Sequence, residues 1–230
     1  MTLRHLGDPI RGFLQALGGG DCETLLRHCA PSATVLGYHA SAPVPLFQWC
    51  AQNFPDRPLQ QRPLSLQARP EGVVVTTLVS GPFGSIGLER PTEFEWRFAL
   101  ARGLIQTVEV AQRAWPIMPA PVAAALVAIN LLDLDALMET FAANALVVDR
   151  SHEYSPLRAI RRWADAEVIG VRAALKVMSA ETMDDTTLVT LQVDGDFDTE
   201  GLSEPPTLRV HFMVDQDKVV EVIIEQDGAG

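Results

Sequence analysis

The two halves of this 230-residue chain share one residue pattern, and this repeat constrains the fold more than any other feature of the sequence. At an offset of 112 residues, segment 20–37 aligns with segment 132–149. After a slip of two residues the offset becomes 114, and Trp49 then aligns with Trp163. Because the shared register extends over about 100 residues, we expect two copies of one domain in the chain.

Each copy is predicted to consist of three helices and a set of strands. From Val122 onward, apolar residues recur at the i, i+3, i+4 and i+7 spacing of one helix face. Asp21 and Asp133 each precede a second helix and are candidates for its N-cap. β-Rich runs follow the helices without strict alternation, which favours an α+β fold with helices on one sheet face. The predicted boundaries are 1–111 for the first domain, 112–120 for a linker and 121–230 for the second domain.

Charge is spread unevenly over the two halves. Residues 1–115 carry 10 basic and 9 acidic side chains, a net charge of +1. Residues 116–230 carry 8 basic and 20 acidic side chains, a net charge of −12, and the whole chain therefore has a net charge of −11. Nucleic-acid partners require a basic face and are therefore not expected. No run of about 18 apolar residues exists, so no membrane partner is expected either. The three cysteines, an odd and low number, are typical of a reduced cytoplasmic protein.

The motifs of common metal and cofactor sites are missing from the sequence. The five histidines show neither HxH nor HExxH spacing, and no pair of cysteines has CxxC spacing. We therefore expect no metal and no cofactor.

The second half resembles a known superfamily along its whole length. The segments FAANALVVDRSHEYSPLRAIRRWADAEVIG, TTLVTLQVDGDF and LRVHFMVDQDKVVEVII are similar to the nuclear-transport-factor-2-like superfamily, which includes ketosteroid isomerases and SnoaL-like polyketide cyclases. The first half resembles it more faintly. The resemblance implies two tandem cone-shaped domains, each with three helices packed on a curved, mainly antiparallel sheet. Because members commonly form homodimers, it also implies an intramolecular pseudo-dimer, and hence a monomer or a weak homo-oligomer.

The resemblance also suggests a catalytic acid in the second domain. Asp149 follows four apolar residues at the position where ketosteroid isomerases carry their general-base aspartate. A carboxylate in an apolar cavity can move a proton beside a carbonyl group. The oxyanion-stabilising tyrosine of that family maps to Ala125 and its second acid to about Val210, and neither residue donates a hydrogen bond, so steroid isomerisation is not expected. Alternatively, Asp149 only caps the turn after its strand.

Four further residues are candidates for the same pocket. Glu167 lies on the apolar stripe of a predicted helix over 156–169, and is either a second acid of the pocket or a last-turn side chain that reaches water. His152 and Tyr154 are assigned to the loop after the strand, where they line the pocket mouth or are merely solvated. Trp163 is either a core residue or an aromatic wall for a flat ligand.

Strand alternation predicts the apolar wall of the pocket. In strand 206–214, Val210 and Phe212 belong to the apolar set, which is expected to face the helices and the pocket. Ala125, on the first helix of the second domain, is expected to face Val210 and Phe212 across the pocket. A pocket of this kind, apolar with few polar groups, is typical of small-molecule sites.

The first domain is predicted to have a degenerate site. It has Gly37 where the second domain has Asp149, and Asn53 where the second has Glu167. It also has Phe13 where the second has Ala125, and Trp96 where the second has Val210. Two aromatic side chains in place of small ones are expected to fill the first cone.

The sequence leaves two classes of function open. In the first, the second domain binds a small hydrophobic metabolite in the SnoaL-like manner, as a cofactor-independent isomerase, cyclase or dehydratase with Asp149 as its base. In the second, the chain is a non-catalytic ligand-binding or protein-interaction scaffold. The sequence does not decide whether it is an enzyme.

Overall fold

The computed structural model describes residues 6–37, 40–53, 59–83, 86–197 and 206–226. The chain divides into two compact units, Met1–Ala114 and Trp115–Gly230. The first unit contains α1 (Asp8–Gly19), α2 (Cys22–Arg27), β1 (Cys29–Gly37), β2 (Ala40–Pro45), α3 (Leu46–Asn53), β3 (Gln60–Arg69), β4 (Gly72–Phe83), β5 (Ile86–Ala101) and β6 (Leu104–Arg113). Its sheet has the strand order β2-β1-β6-β5-β4-β3.

The second unit repeats this order of elements. It contains α4 (Ala120–Leu131), α5 (Leu134–Thr140), β7 (Phe141–Asp149), β8 (His152–Tyr154), α6 (Leu157–Trp163), a π-helical segment (Ala164–Ile169), β9 (Ala174–Met183), β10 (Thr186–Asp194), β11 (Thr207–Asp215) and β12 (Lys218–Gln226). Its strand order is β8-β7-β12-β11-β10-β9, which is the first sheet's order repeated. In each sheet only one pair, β1 with β6 or β7 with β12, is parallel. The prediction of two tandem α+β domains with mainly antiparallel sheets is confirmed.

Helix ends follow the local signals of the sequence. Asp21 accepts a hydrogen bond from the backbone N–H of Thr24, and Asp133 accepts one from Ala136, both at 2.9 Å. The bonds from Thr24 lower the pKa of the Asp21 carboxyl group. Because a cap supplies an acceptor to an otherwise unpartnered backbone N–H, each aspartate fixes where its short helix begins. Both predicted N-caps are confirmed.

Two short strands and one segment boundary differ from the sequence-based assignment. The strands β2 and β8 pair antiparallel with the outer sides of β1 and β7, and neither was assigned as a strand from the sequence. The irregular stretch between β6 and α4 covers 114–119, because β6 continues to Arg113. That stretch lies inside the predicted linker 112–120.

The core of the first unit is rich in aromatic side chains. Phe13 of α1 contacts Trp96 and Phe98 of β5 edge to face, with ring centroids 6.2 Å and 5.3 Å apart. Phe94 lies 6.2 Å from Trp96 on the same strand, and all four rings are buried. The Trp96 indole donates to the Thr77 hydroxyl at 2.9 Å, so its polar atom is satisfied inside the core. The space under α1 is therefore occupied by side chains of the unit itself.

The core of the second unit uses smaller residues at the equivalent places. Ala125 of α4 and Val210 of β11 are both buried in it. Asn130, near the end of α4, is fully buried and forms two hydrogen bonds with the backbone of Leu175. Its side-chain nitrogen donates to the Leu175 carbonyl at 2.7 Å, and its oxygen accepts from the Leu175 N–H at 2.8 Å. This pair of bonds connects α4 to the start of β9.

Within the part of the chain that the structure describes, no helix is both long and apolar enough to cross a membrane. Among the same residues, no three His, Cys, Asp or Glu side chains come together as a metal site would require.

Candidate functional site

The register of the second sheet brings most of the predicted site residues into two adjacent rows. Antiparallel and parallel partners of one row project from the same sheet face, so each row is a line of neighbouring side chains. The first row runs across the sheet through Val189, Val210, Ile224, Asp149 and His152. The second runs through Thr187, Phe212, Val222, Val147 and Tyr154.

Asp149 is the acid at the end of the first row. It is the last residue of β7 and shares a face with Ala145 and Val147, which are buried against the helices. Its carboxylate oxygen Oδ2 accepts a hydrogen bond from Nε1 of Trp163 at 3.1 Å. Among the residues that the structure describes, Asp149 forms no ion pair, and its Oδ1 accepts no hydrogen bond. The carboxylate is therefore oriented by a neutral donor and half-buried at an apolar edge.

Trp163 connects this acid to an aromatic neighbour. It is the last residue of α6, is 8% exposed, and packs into the core with Ile160. The Tyr154 ring of β8 lies 5.7 Å from the Trp163 ring, with an angle of 33° between the ring planes. Trp163 is thus a core residue that also carries a polar contact, and its role as an aromatic wall for a flat ligand stays a prediction.

A tight turn places β8 beside the acid. Arg150 and Ser151 join β7 to β8 with φ angles of 50° and 79°. Two residues at positive φ give the hairpin turn whose twist matches that of the strands. The turn makes His152 the direct partner of Asp149 and Tyr154 the partner of Val147. His152 and Tyr154 therefore lie on a strand, and their assignment to a loop was wrong.

His152 and Tyr154 differ in burial. Tyr154 is half-buried and packs on the core, whereas His152 is exposed. His152 shares the first row with Asp149, and its imidazole is accessible to water. The structure thus places His152 beside Asp149 by a strand pairing that was not predicted, and its role at a pocket mouth stays a prediction.

The three apolar residues predicted for the wall of the pocket are all buried in the core of the second unit. Val210 and Phe212 project from β11 toward the helices, which confirms the alternation predicted for this strand. Ala125 of α4 belongs to the same core cluster. Ile224 of β12 lies between Val210 and Asp149 in the first row and was missed. The repeat could have suggested it, but only the pairing of β7 with β12 assigns its neighbours.

Glu167 is exposed, and its assignment to an apolar helix stripe was wrong. The α-helix changes at Ala164 into a π-helical segment, in which the N–H of Gly170 donates to the carbonyl of Asp165, five residues earlier, at 2.7 Å. The wider turn shifts the positions that follow it, so a residue seven places after Ile160 no longer shares its face. Glu167 is not brought to Asp149 by any described contact.

The first unit cannot carry an acid at the position equivalent to Asp149. Gly37 has a φ of 90°, and a Cβ atom there would lie 2.1 Å from the carbonyl oxygen of Val110. Asn53, the counterpart of Glu167, donates to the backbone oxygen of Trp49 at 2.9 Å. Together with the aromatic core, these features leave the first unit without the polar group of the candidate site.

No family model and no curated protein matches the chain. The solved structures that resemble it each cover about half of it. A protein assigned as a polyketide cyclase from Sinorhizobium meliloti is 28% identical, covers 47% of this chain and 95% of its own, and gives a TM-score of 0.43. An NTF2-like protein of unknown function from Cytophaga hutchinsonii is 6% identical over 48% and 93%, with a TM-score of 0.40. A hypothetical protein with a ketosteroid isomerase-like fold from Catenulispora acidiphila is 16% identical over 47% and 86%, also with 0.40.

Proposed function

We propose that the second unit binds a small, largely apolar molecule against the row of Val210, Ile224 and Asp149. The observation that carries this proposal is the 3.1 Å hydrogen bond from the Trp163 indole to Asp149. A polar group held in one orientation at the end of an apolar surface is the usual composition of a small-molecule site. The Asp149 carboxylate would fix the orientation of the ligand, and the half-buried side chains of Ile224 and Tyr154 beside it would supply apolar contact area.

The chemistry of the site favours binding as its primary role. Stabilisation of a developing oxyanion is commonly the largest contribution to reactions at carbonyl groups. Ala125 and Val210, at the positions where the resemblance would put the oxyanion donors, offer no hydrogen bond. Asp149 can accept a proton but, as a carboxylate, cannot donate a hydrogen bond to an oxyanion. Binding therefore needs nothing beyond the residues described, whereas efficient carbonyl chemistry needs a donor that these positions lack.

Base catalysis is the second candidate function, and the geometry of Asp149 favours it. The indole N–H engages Oδ2 and leaves Oδ1 to accept a proton from a bound molecule. An isomerase, cyclase or dehydratase step of this kind would use Asp149 as the base, with exposed His152 able to exchange the proton with water. Glu167, which is exposed, has no part in either proposal.

The test of binding is thermal unfolding of the full chain in the presence of small apolar alcohols, phenols, ketones and amines. Because a ligand that binds the native state raises the unfolding temperature, true ligands are expected to stabilise the wild-type protein. The same compounds are expected to lose most of that effect with Asp149→Asn. Asp165→Asn is the matched control, because it makes the same change at an exposed acid of the π-helical segment.

Full stabilisation of Asp149→Asn by every ligand would contradict the site, and a library without any stabilising compound would favour the scaffold function. For each true ligand, product formation decides between the two candidate functions. Catalysis by Asp149 predicts that Asp149→Asn lowers turnover by about a hundredfold or more while the ligand still binds measurably. If wild-type protein binds its ligands and converts none of them, the unit is a binding module.

A further inference from the structure

We propose that the ligand of the second unit is an organic cation, an apolar molecule with an ammonium group that pairs with Asp149. This inference rests on the proposed function and adds the charge of the ligand to it. Three features of the unit support a cationic ligand: the charge of Asp149, which no described cation pairs with, the aromatic ring beside it, and the charge of the unit as a whole.

The charge of Asp149 is not neutralised within the described part of the chain. Its polar partner is the uncharged indole of Trp163, and no Lys, Arg or His of the described residues forms an ion pair with it. Carboxylates that are partly removed from water are usually paired with a cation, because their desolvation is costly. A ligand that carries the cation would supply this missing partner.

The basic side chains nearest in sequence do not take this role. Arg150 in the hairpin turn is exposed, as are Arg158 and Arg162 on α6. Arg161 pairs with Asp135 instead, at 2.6 Å. None of these arginines forms an ion pair with Asp149 in the described part of the chain, which leaves the carboxylate available to a bound molecule.

An aromatic pair adjoins the same carboxylate. The Trp163 indole contacts Asp149 by its N–H and lies 5.7 Å from the half-buried ring of Tyr154. Ammonium groups are attracted to the faces of aromatic rings, more strongly where water is partly excluded. A carboxylate and aromatic rings at one place are a combination suited to cations and unsuited to carboxylate or phosphate ligands.

The charge of the unit acts in the same direction. Residues 116–230 carry 8 basic and 20 acidic side chains, a net charge of −12. A field of this sign raises the local concentration of cations and lowers that of anions, and salt screens it. An anionic ligand would therefore be repelled both by the unit as a whole and by Asp149.

The experiment compares three molecules of one size and different charge. Benzylamine is a cation at pH 7, benzyl alcohol is neutral and benzoate is an anion, and each is titrated into the full chain by calorimetry or ligand-detected NMR. We expect benzylamine to bind about tenfold more tightly than benzyl alcohol and benzoate to bind most weakly. With Asp149→Asn benzylamine and benzyl alcohol are both expected to bind more weakly, the amine by the larger factor, so that the preference for the amine disappears.

Two controls and three contrary outcomes complete the test. Asp165→Asn should keep the preference of the wild type, and raising the salt concentration should reduce it. Circular dichroism and thermal unfolding of both variants establish that they fold. Equal or tighter binding of benzyl alcohol would overturn the cationic assignment and leave the proposed function intact. Tighter binding of benzoate, or no saturable binding of the three, would also overturn it, whereas the library screen alone judges the proposed function.

Discussion

Asn130 is the buried polar residue on which the contact between α4 and β9 depends. Both polar atoms of its side chain are used by the backbone of Leu175. Asn130→Ala should lower the free energy of unfolding by about 2–4 kcal/mol, because it leaves a buried N–H and a buried C=O without partners. Denaturant unfolding of the full chain measures this, and Asn144→Ala, at an exposed residue of β7, is the control. A loss equal to that of the control would show that the bonds contribute little.

Gly37 is the residue that prevents the first unit from carrying the acid. Gly37→Ala should lower stability by more than about 3 kcal/mol, since it combines a positive φ with a Cβ atom 2.1 Å from the Val110 oxygen. Gly103→Ala is the matched control, because Gly103 has a φ of 76° and nothing within 4 Å of its Cβ position. Gly103→Ala should lower the free energy of unfolding by about 1–2 kcal/mol. If unfolding experiments show the same loss of stability for Gly37→Ala and Gly103→Ala, the steric clash with Val110 is contradicted.

The three cysteines should differ sharply in reactivity. Burial raises the pKa of the Cys29 thiol to about 12, and burial together with a side-chain hydrogen bond to Cys22 raises the pKa of Cys50. Only thiolates react rapidly, so iodoacetamide at pH 8 should label half-exposed Cys22 and spare the other two. Mass spectrometry of native and denatured protein reads this out. Rapid labelling of Cys29 or Cys50 in the native chain would contradict the packing.

The raised pKa of Cys29 also predicts how the stability of the protein depends on pH. In the unfolded chain Cys29 loses its proton near its ordinary pKa of 9.0, whereas in the folded chain it keeps the proton until about pH 12. Between these values the unfolded state binds fewer protons, so the free energy of unfolding falls as pH rises. Below pH 9 this contribution is constant. Cys29→Ser should make the fall less steep.

At the scale of elements, local signals and long-range pairings were predictable to different degrees. Asp21 and Asp133 could be assigned as N-caps because a cap acts within three residues of its own helix. The strand β8 could not be predicted. Its three residues form a strand only by pairing with β7, and their own sequence does not indicate that pairing. Glu167 was misplaced for a related reason: the change to π-helix at Ala164 breaks the 3.6-residue period from which its face was inferred.

The candidate site was predictable where it follows strand alternation. The period of two in β11 correctly placed Val210 and Phe212 toward the helices. Ile224 was missed because its place beside Asp149 depends on the parallel pairing of β7 with β12, which joins segments far apart in sequence. The indole contact to Asp149 likewise depends on how α6 packs on β7, and no local pattern encodes it.

The hairpin turn between β7 and β8 is the element that sets the rim of the site. Ser151 has a φ of 79° there, as Asp217 has a φ of 61° in the turn between β11 and β12. Ser151→Gly and Asp217→Gly should each raise stability by about 1 kcal/mol, because glycine adopts positive φ without strain. Ligand affinity should be kept in both variants. A clear loss of stability by Ser151→Gly in denaturant unfolding would show that the serine side chain stabilises the turn.

At the scale of the whole molecule, one fold occurs twice, and the two copies differ in their core side chains and in the residue at the end of their first strand. The first unit has the four buried rings of Phe13, Phe94, Trp96 and Phe98, and a glycine at the end of its first strand. The second has alanine and valine at two of these places and an acid at the end of β7. We therefore propose ligand binding for the second unit alone. Pairing of the two copies as a pseudo-dimer stays a prediction from the sequence.

A crystallographic fragment screen of the full chain tests this division most directly, because it needs no knowledge of the natural ligand. Crystals are soaked with small apolar fragments, some with hydroxyl or amine groups, and bound fragments are located in each unit. The account predicts that fragments collect against Asp149, Trp163 and Val210, and that none enters between Phe13 and Trp96. Fragments bound equally in the first unit, or bound elsewhere while the Asp149 row stays empty in every crystal, would contradict it.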